Sequence, residues 1–130
     1  MKRPARPEYW NHNAAYYPRL RRLTAGKTRI LDVGCGEGAL VRHLEDPDRL
    51  VLGVDPDGDC IRRAEARAAK GTGFRCCTFE DFADPGPFDA VIFSASLHHM
   101  DGERALEKAV HLLEKGGILL IVGLDSPTTF

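Results

Sequence analysis

Apolar residues in this chain come in short dense runs, separated by stretches in which they recur on one helical face. Thr28-Arg-Ile-Leu-Asp-Val33 is the first run and predicts a strand. A glycine-rich turn follows, and then Leu40, Val41 and Leu44 share one face of a short helix. Leu50-Val-Leu-Gly-Val54 predicts a second strand, ended by Asp55-Pro56. Asp57 stands as the N-cap of the next helix, whose one-sided stripe is Cys60, Ile61, Ala64 and Ala68. Phe74 to Thr78 predicts a third strand and Phe88-Asp-Ala-Val-Ile-Phe93 a fourth. From Gly102 to Lys115, Ala105, Leu106, Ala109, Val110, Leu112 and Leu113 fall at helical spacing; Gly116-Gly117 stops that helix, and Ile118 to Val122 predicts a fifth strand. Strands alternating with helices give βαβ units, and right-handed crossovers lay them out as a doubly wound αβα sandwich. Ligands are then expected at the carboxyl ends of the strands.

Residues 1–27 stand outside that alternation. Tyr9, Trp10, Tyr16 and Tyr17 cluster there with Asn11, His12 and Asn13, and Pro18 is placed to start a short helix through Leu20 to Leu23. Two units follow: an aromatic arm over 1–27, either a cap on the sheet edge or a lid, and a core over 28–130. Charge sharpens the division, because eight basic residues against one acid precede Leu31 and ten against eighteen follow it, although the whole chain is nearly neutral at -1. A basic arm attracts nucleic acid or an anionic substrate, but no repeated Arg/aromatic pattern accompanies this one, so RNA is the less favoured partner.

With 130 residues and 43% hydrophobic positions, the chain is one globular domain that needs neither a disulfide framework nor a structural metal. No apolar stretch approaches a membrane span and the start lacks the apolar block of a signal peptide, which predicts a cytoplasmic protein with no membrane partner. Cys35, Cys60, Cys76 and Cys77 contain no CxxC pair and read as buried small hydrophobes.

The chemistry concentrates in Leu31-Asp-Val-Gly-Cys-Gly-Glu-Gly-Ala-Leu40, where a strand runs through Gly34, Gly36 and Gly38 into a helix. Glycines there allow close backbone approach to a ligand. Dinucleotide sites use a related G-x-G-x-x-G turn to seat a pyrophosphate on a helix N-terminus. Here the spacing is G-x-G-x-G and two acids, Asp32 and Glu37, flank the loop, which repels a pyrophosphate and suits a ligand carrying an ammonium and a sulfonium. Asp55, 21 positions after Gly34 at the end of the second strand, is spaced to accept from both hydroxyls of a ribose.

On these residues the chain resembles the class I S-adenosylmethionine-dependent methyltransferases, in particular small bacterial ones. Asp32-Val-Gly-Cys-Gly-Glu-Gly38 is similar to the family's first motif, Gly53-Val-Asp55 to its second, Phe88-Asp-Ala-Val-Ile-Phe93 to its fourth-strand motif, and Leu113-Glu-Lys-Gly-Gly-Ile-Leu119 to the entry of the fifth strand. The resemblance implies a Rossmann-like parallel sheet, five strands in the order 3-2-1-4-5. It implies S-adenosylmethionine as cofactor, with Asp32, Gly34, Cys35, Gly36 and Gly38 bordering its methionine part, Asp55 taking the ribose hydroxyls and Pro56 near the adenine. An acid after the third strand, Glu80 or Asp81, would meet the adenine amino group, with Phe82 alongside; the choice between the two acids stays open. Ser94 lets the reactive end come close. His98 and His99, in Leu97-His-His-Met100, are the candidate catalytic bases, against a role in shaping the pocket. Tyr17 either folds over the cofactor or packs on the sheet. His43 and His111 read as ordinary helix residues.

Full members of the family continue past the fifth strand through a helix and an antiparallel strand pair. The chain stops at Phe130, so the expectation is a sheet without that pair and a fifth-strand edge open to a homodimer. The expected function is methyl transfer to a small-molecule O, N or C nucleophile. The competitors are a non-catalytic or truncated cofactor-binding module, an RNA methyltransferase and an NAD-binding fragment.

Overall fold

The computed structural model describes residues 15–94, 96 and 100–123. Its elements in chain order are α1 (Tyr17–Leu23), β1 (Arg29–Val33), α2 (Ala39–Leu44), β2 (Leu50–Asp55), α3 (Gly58–Ala66), β3 (Thr72–Cys76), β4 (Phe88–Ser94), α4 (Gly102–Leu112) and β5 (Leu113–Val122). The strands form one parallel sheet in the order β3-β2-β1-β4-β5, as the sequence implies.

The period of two along each strand sorts the core into two layers. Ile30, Val51, Ala90 and Ile92 face one side, where Leu20 of α1, Leu40, Val41 and Leu44 of α2 and Ile61 and Ala64 of α3 cover them. Leu31, Val33, Leu52, Val54, Val91 and Phe93 face the other, under Ala105, Ala109 and Leu112 of α4 and the rings of Phe79 and Phe82. Strands covered on both faces need continuous apolar runs, and six of the seven β4 residues are buried. Burying each large aliphatic or aromatic side chain contributes roughly 1.5–3 kcal/mol.

Three boundaries differ from the sequence reading. The third strand is Thr72–Cys76, not Phe74 to Thr78, because its register is set by pairing Val51 with Thr72 and Asp55 with Cys76. Beyond that the Cys77 N–H still reaches the Asp55 carbonyl at 3.1 Å, and the chain then turns at Thr78. The helix expected to run to Lys115 ends at Leu112, and the strand begins at once with Leu113 against Phe88. Gly116-Gly117 does not stop the helix; it closes a bulge before Ile118 pairs with Ala90, and the left-handed φ of +84° at Gly116 turns the bulge back. Of the cysteines, Cys35 is buried as expected, whereas Cys60 and Cys77 are half-buried and Cys76 is exposed. His43 is half-buried with its ring 5.6 Å from that of Tyr17, and His111 is exposed. Among the described residues no helix is long and apolar enough to cross a membrane, and no group of acids, histidines and cysteines is set to hold a metal ion.

Candidate functional site

The carboxyl end of β1 meets that of β2 through the loop that follows it. The N–H groups of Gly34 and Cys35 both donate to the Val54 carbonyl, at 2.7 and 3.0 Å. Gly34, Gly36 and Gly38 all take positive φ, of +80°, +55° and +84°. Their reasons for being glycine differ. A Cβ on Gly34 would lie 2.4 Å from that of Ser96, whose hydroxyl donates to the Val33 carbonyl at 2.6 Å and ties the segment after β4 onto the loop. A Cβ on Gly38 would lie 2.9 Å from the Phe74 ring. Among the described residues a Cβ on Gly36 would meet nothing within 4 Å, so beyond its φ they leave this glycine bare.

Asp55 fixes the outer side of the loop. One carboxylate oxygen accepts from the Gly36 N–H and the other from the Asp57 N–H, both at 2.9 Å, which orients the group and leaves lone pairs on each oxygen. Asp57 in turn caps α3 by accepting from the N–H groups of Asp59 and Cys60.

Gly34 lies between two cavities and lines both. The larger, about 860 Å³, has Asp55 and Pro56 on one side, Thr78, Phe79 and Glu80 on another, and Ser96, Met100, Asp101, Arg104, Ala105 and Lys108 closing it. The smaller, about 400 Å³, holds Tyr17, Asp32, Cys35, Gly36, Glu37, Arg42, Arg67 and Ser94. Strand parity explains its floor: the alternation that buries Ile30 on the α1–α2 face carries Asp32 there, and that of Ala90 and Ile92 carries Ser94.

Asp32 is the electrostatic centre of the smaller cavity. It is 1% exposed, and its Oδ1 has no hydrogen-bond partner among the described residues. Burial, and then the charge of Asp55, push its carboxyl up from 3.8 to about 7. The Tyr17 hydroxyl is raised by burial and then by Asp32, against the opposing pull of Arg42. The Cys35 thiol is pushed far up, first by burial and then by Asp32 and Asp55, which favours the protonated form. Arg42 donates to the Glu37 carbonyl at 2.7 Å, while the Glu37 carboxylate pairs with Arg63 at 3.1 Å. The cavity thus has an acid floor and a basic rim of Arg42 and Arg67.

The structure brings together Tyr17, Asp32, Gly34, Cys35, Gly36 and Ser94 in the smaller cavity, and Gly34, Asp55, Pro56 and Glu80 in the larger. Gly38 sits behind them, buried against Phe74. Asp81 and Phe82 line neither cavity. The Asp81 N–H donates to the Thr78 hydroxyl, and Phe82 is 5% exposed between Phe79 and Phe88, each ring 6.3 Å away. Phe79 takes the wall position instead. His98 and His99 lie outside the described residues. Arg42, Arg67, Phe79, Arg104 and Lys108 also line the two cavities, and none of them stands in a sequence motif that marks it; the Phe-x-x-Phe spacing around Glu80-Asp81 is the one signal present for Phe79.

The orphaned Asp32 oxygen, the bare space over Gly36 and the oriented Asp55 carboxylate fit a ligand with a cationic end and vicinal hydroxyls. Residues 31–121 match a family model described as a methyltransferase domain. An uncharacterized methyltransferase of Mycobacterium tuberculosis is 35% identical over 124 residues, covering 92% of this chain and 62% of the relative. A ubiquinone biosynthesis O-methyltransferase of Bradyrhizobium is 32% identical over 101 residues, covering 75% of this chain and 40% of that one. Among solved structures, the sugar N-methyltransferase KedS8 from Streptoalloteichus superposes with a TM-score of 0.75 at 30% identity, over 91% of this chain and 51% of that one. The plantazolicin methyltransferase BpumL, solved with S-adenosylhomocysteine, shares the fold at a TM-score of 0.74 and 22% identity, over 87% and 46%. The chain spans less than two thirds of the length of each of these proteins, and within that span it belongs to the class I S-adenosylmethionine-dependent methyltransferases.

Proposed function

We propose that this chain binds S-adenosylmethionine across the glycine loop and donates its methyl group to a small-molecule O, N or C nucleophile. The nucleoside occupies the larger cavity and the methionine end the smaller one. The observation that carries the reading is Asp32: a buried carboxylate with an unpartnered oxygen facing a cavity requires a donor or a cation to be stable in its charged form. Asp55, already oriented by two N–H donors, has lone pairs left for the ribose hydroxyls. Gly36 presents bare backbone to the ligand, and Glu80 stands on the far wall of the larger cavity for the base.

When bound, the cofactor supplies a methyl group on a sulfonium, open to in-line attack. The chain's part is to hold and orient the reactants and to exclude water. Tyr17 and Ser94 border the smaller cavity beside Asp32, where they narrow access. His98 and His99 are proposed to accept the nucleophile's proton. His98→Ala or His99→Ala then lowers turnover at unchanged cofactor affinity, and an equal loss of both assigns that residue to shaping the pocket instead.

Calorimetric titration of the chain with S-adenosylmethionine and S-adenosylhomocysteine, with NAD as control ligand, tests the reading. Saturable one-site binding of the first two and not of NAD supports it and opens an acceptor screen. A folded chain that binds neither overturns it. Turnover with any acceptor separates an enzyme from a cofactor-binding module, and sedimentation of the same sample tests for a homodimer through the β5 edge.

A further inference from the structure

Lys108 belongs to α4, yet its charge is engaged with the opposite wall of the larger cavity. Its ammonium donates to the carbonyls of Phe79, Glu80 and Phe82, at 2.6, 3.0 and 2.7 Å, and stands 5.1 Å from the centre of the Phe79 ring. An ammonium has three N–H donors, and all three are used, so Lys108 has none left for a ligand. The turn explains why a cation is needed there. The N–H groups of Asp81 and Phe82 close it onto the carbonyls of Thr78 and Phe79 at 3.2 Å each, which points its carbonyl dipoles toward one spot. With no positive charge at that focus the dipoles repel.

The same turn carries the cavity wall: Thr78, Phe79 and Glu80 line the ligand space, and the Lys108 ammonium reaches that turn from α4. Glu80 itself has little else to hold it. Among the described residues its carboxylate pairs only with Arg104 at 3.8 Å, both side chains being more than three-quarters exposed, and such a pair in water fixes almost nothing. The position of Glu80 therefore follows its backbone, which Lys108 holds together with the turn's own N–H bonds.

We propose that Lys108 is a positioning residue for base recognition: by drawing the Phe79, Glu80 and Phe82 carbonyls onto one ammonium, it holds Glu80 where it accepts from the exocyclic amino group of an adenine. The inference rests on the reading above that the larger cavity takes the nucleoside. It assigns Lys108 an effect on which base is preferred, beyond any effect on the fold.

The test compares S-adenosylhomocysteine with S-inosylhomocysteine, which carries an oxo group in place of that amino group, by calorimetry on the full chain. Lys108→Met and Lys108→Gln are the variants, the second retaining two donors so that fewer carbonyls are orphaned. The wild type prefers the adenine ligand. In Lys108→Met, affinity for it falls about tenfold, the size of loss expected of a hydrogen-bonded positioning contact, and the preference over the inosine ligand shrinks with it; Lys108→Gln falls between. A purely structural role lowers the melting temperature and leaves the preference intact. A folded Lys108→Gln chain with wild-type affinity and preference overturns the inference, as does failure of both variants to fold, which makes Lys108 a requirement of the fold alone. A wild type that binds both ligands equally overturns it too, while a wild type that binds neither overturns the cofactor reading itself.

Discussion

A carboxylate that keeps an unpartnered oxygen in a buried position is held there by something other than stability. Asp32 is raised from 3.8 to about 7 by burial and then by Asp55, so between those values the unfolded chain has released a proton that the folded chain retains. The folded state then binds more protons than the unfolded one, and stability must fall as pH rises through that window and level off above it. A cationic ligand reverses the preference by favouring the charged carboxylate. Cofactor affinity should therefore increase as pH rises from about 5 to 7, with a proton released on binding, read by calorimetry in buffers of different ionisation enthalpy. Asp32→Asn should stabilise the unliganded chain at pH 8, by on the order of 1 kcal/mol or more, and should flatten both pH profiles. An affinity that does not change with pH would show that Asp32 faces no cation. Asp55 makes the opposite case, since its two oxygens are already bonded to Gly36 and Asp57. Asp55→Ala should weaken S-adenosylhomocysteine binding by roughly 1–3 kcal/mol, partly through the ribose and partly by freeing the loop. These acids were legible in the sequence because they flank glycines at a fixed spacing. Arg42 and Arg67 were not, because a basic residue on a short helix or just past its end has the same pattern whether it faces solvent or a cavity.

At the scale of elements, the glycine loop separates what the fold demands from what a ligand demands. Gly34 is pinned by Ser96, with a would-be Cβ contact of 2.4 Å, and its φ is +80°. Gly34→Ala should cost more than about 2 kcal/mol, because left-handed strain alone accounts for roughly 1–2 kcal/mol and the clash adds to it. Gly36 has φ of +55° but open space around it, and asparagine tolerates that backbone. Gly36→Asn should leave the melting temperature within a few degrees of wild type while lowering cofactor affinity at least tenfold, an order-of-magnitude expectation for a side chain placed where a ligand must come close. Thermal unfolding and titration of the two variants side by side check the contrast. The same scale shows where pattern reading stops. The strands β1, β2 and β4 were legible because burial on both faces leaves dense apolar runs, interrupted by Asp32 in β1 and Asp89 in β4. The end of α4 was not, because Leu113 satisfies the helical stripe and the strand pairing equally well, and only its partner Phe88 decides between them. Phe79 and Phe82 posed a similar choice. Two rings three residues apart are interchangeable on paper; both are buried, but Phe79 also lines the larger cavity while Phe82 packs toward Phe88.

Across the whole molecule, the two ends of the parallel sheet do different work. At the carboxyl ends lie the glycine loop, Asp32 and Asp55. At the amino ends a single acid joins β4 to β1: Asp89, 8% exposed, accepts from the N–H groups of Thr28 and Arg29 at 2.7 and 2.8 Å and from the Thr28 hydroxyl at 3.2 Å. It fixes the start of β1 beside β4, and so the register that brings Val33 level with Phe93 and carries the following loop to the level of Ser94 and Ser96. Asp89→Ala should cost on the order of 1 kcal/mol of unfolding free energy, since it removes the shared acceptor of two part-buried backbone donors. Strands rise about 3.3 Å per residue, so the five steps from Arg29 to Gly34 separate this staple from the glycine loop by roughly 17 Å. Sites that far apart with no shared partner are expected to act independently. Cofactor affinity of the folded Asp89→Ala chain should accordingly match wild type, and its loss of stability should add to that of Asp55→Ala within about 0.5 kcal/mol. Chemical denaturation of the single and double variants, with titration of each, measures both quantities. A weaker affinity in Asp89→Ala would mean that the glycine loop is held in place by strand register as much as by its own hydrogen bonds, and that the parallel sheet transmits strain from one end to the other.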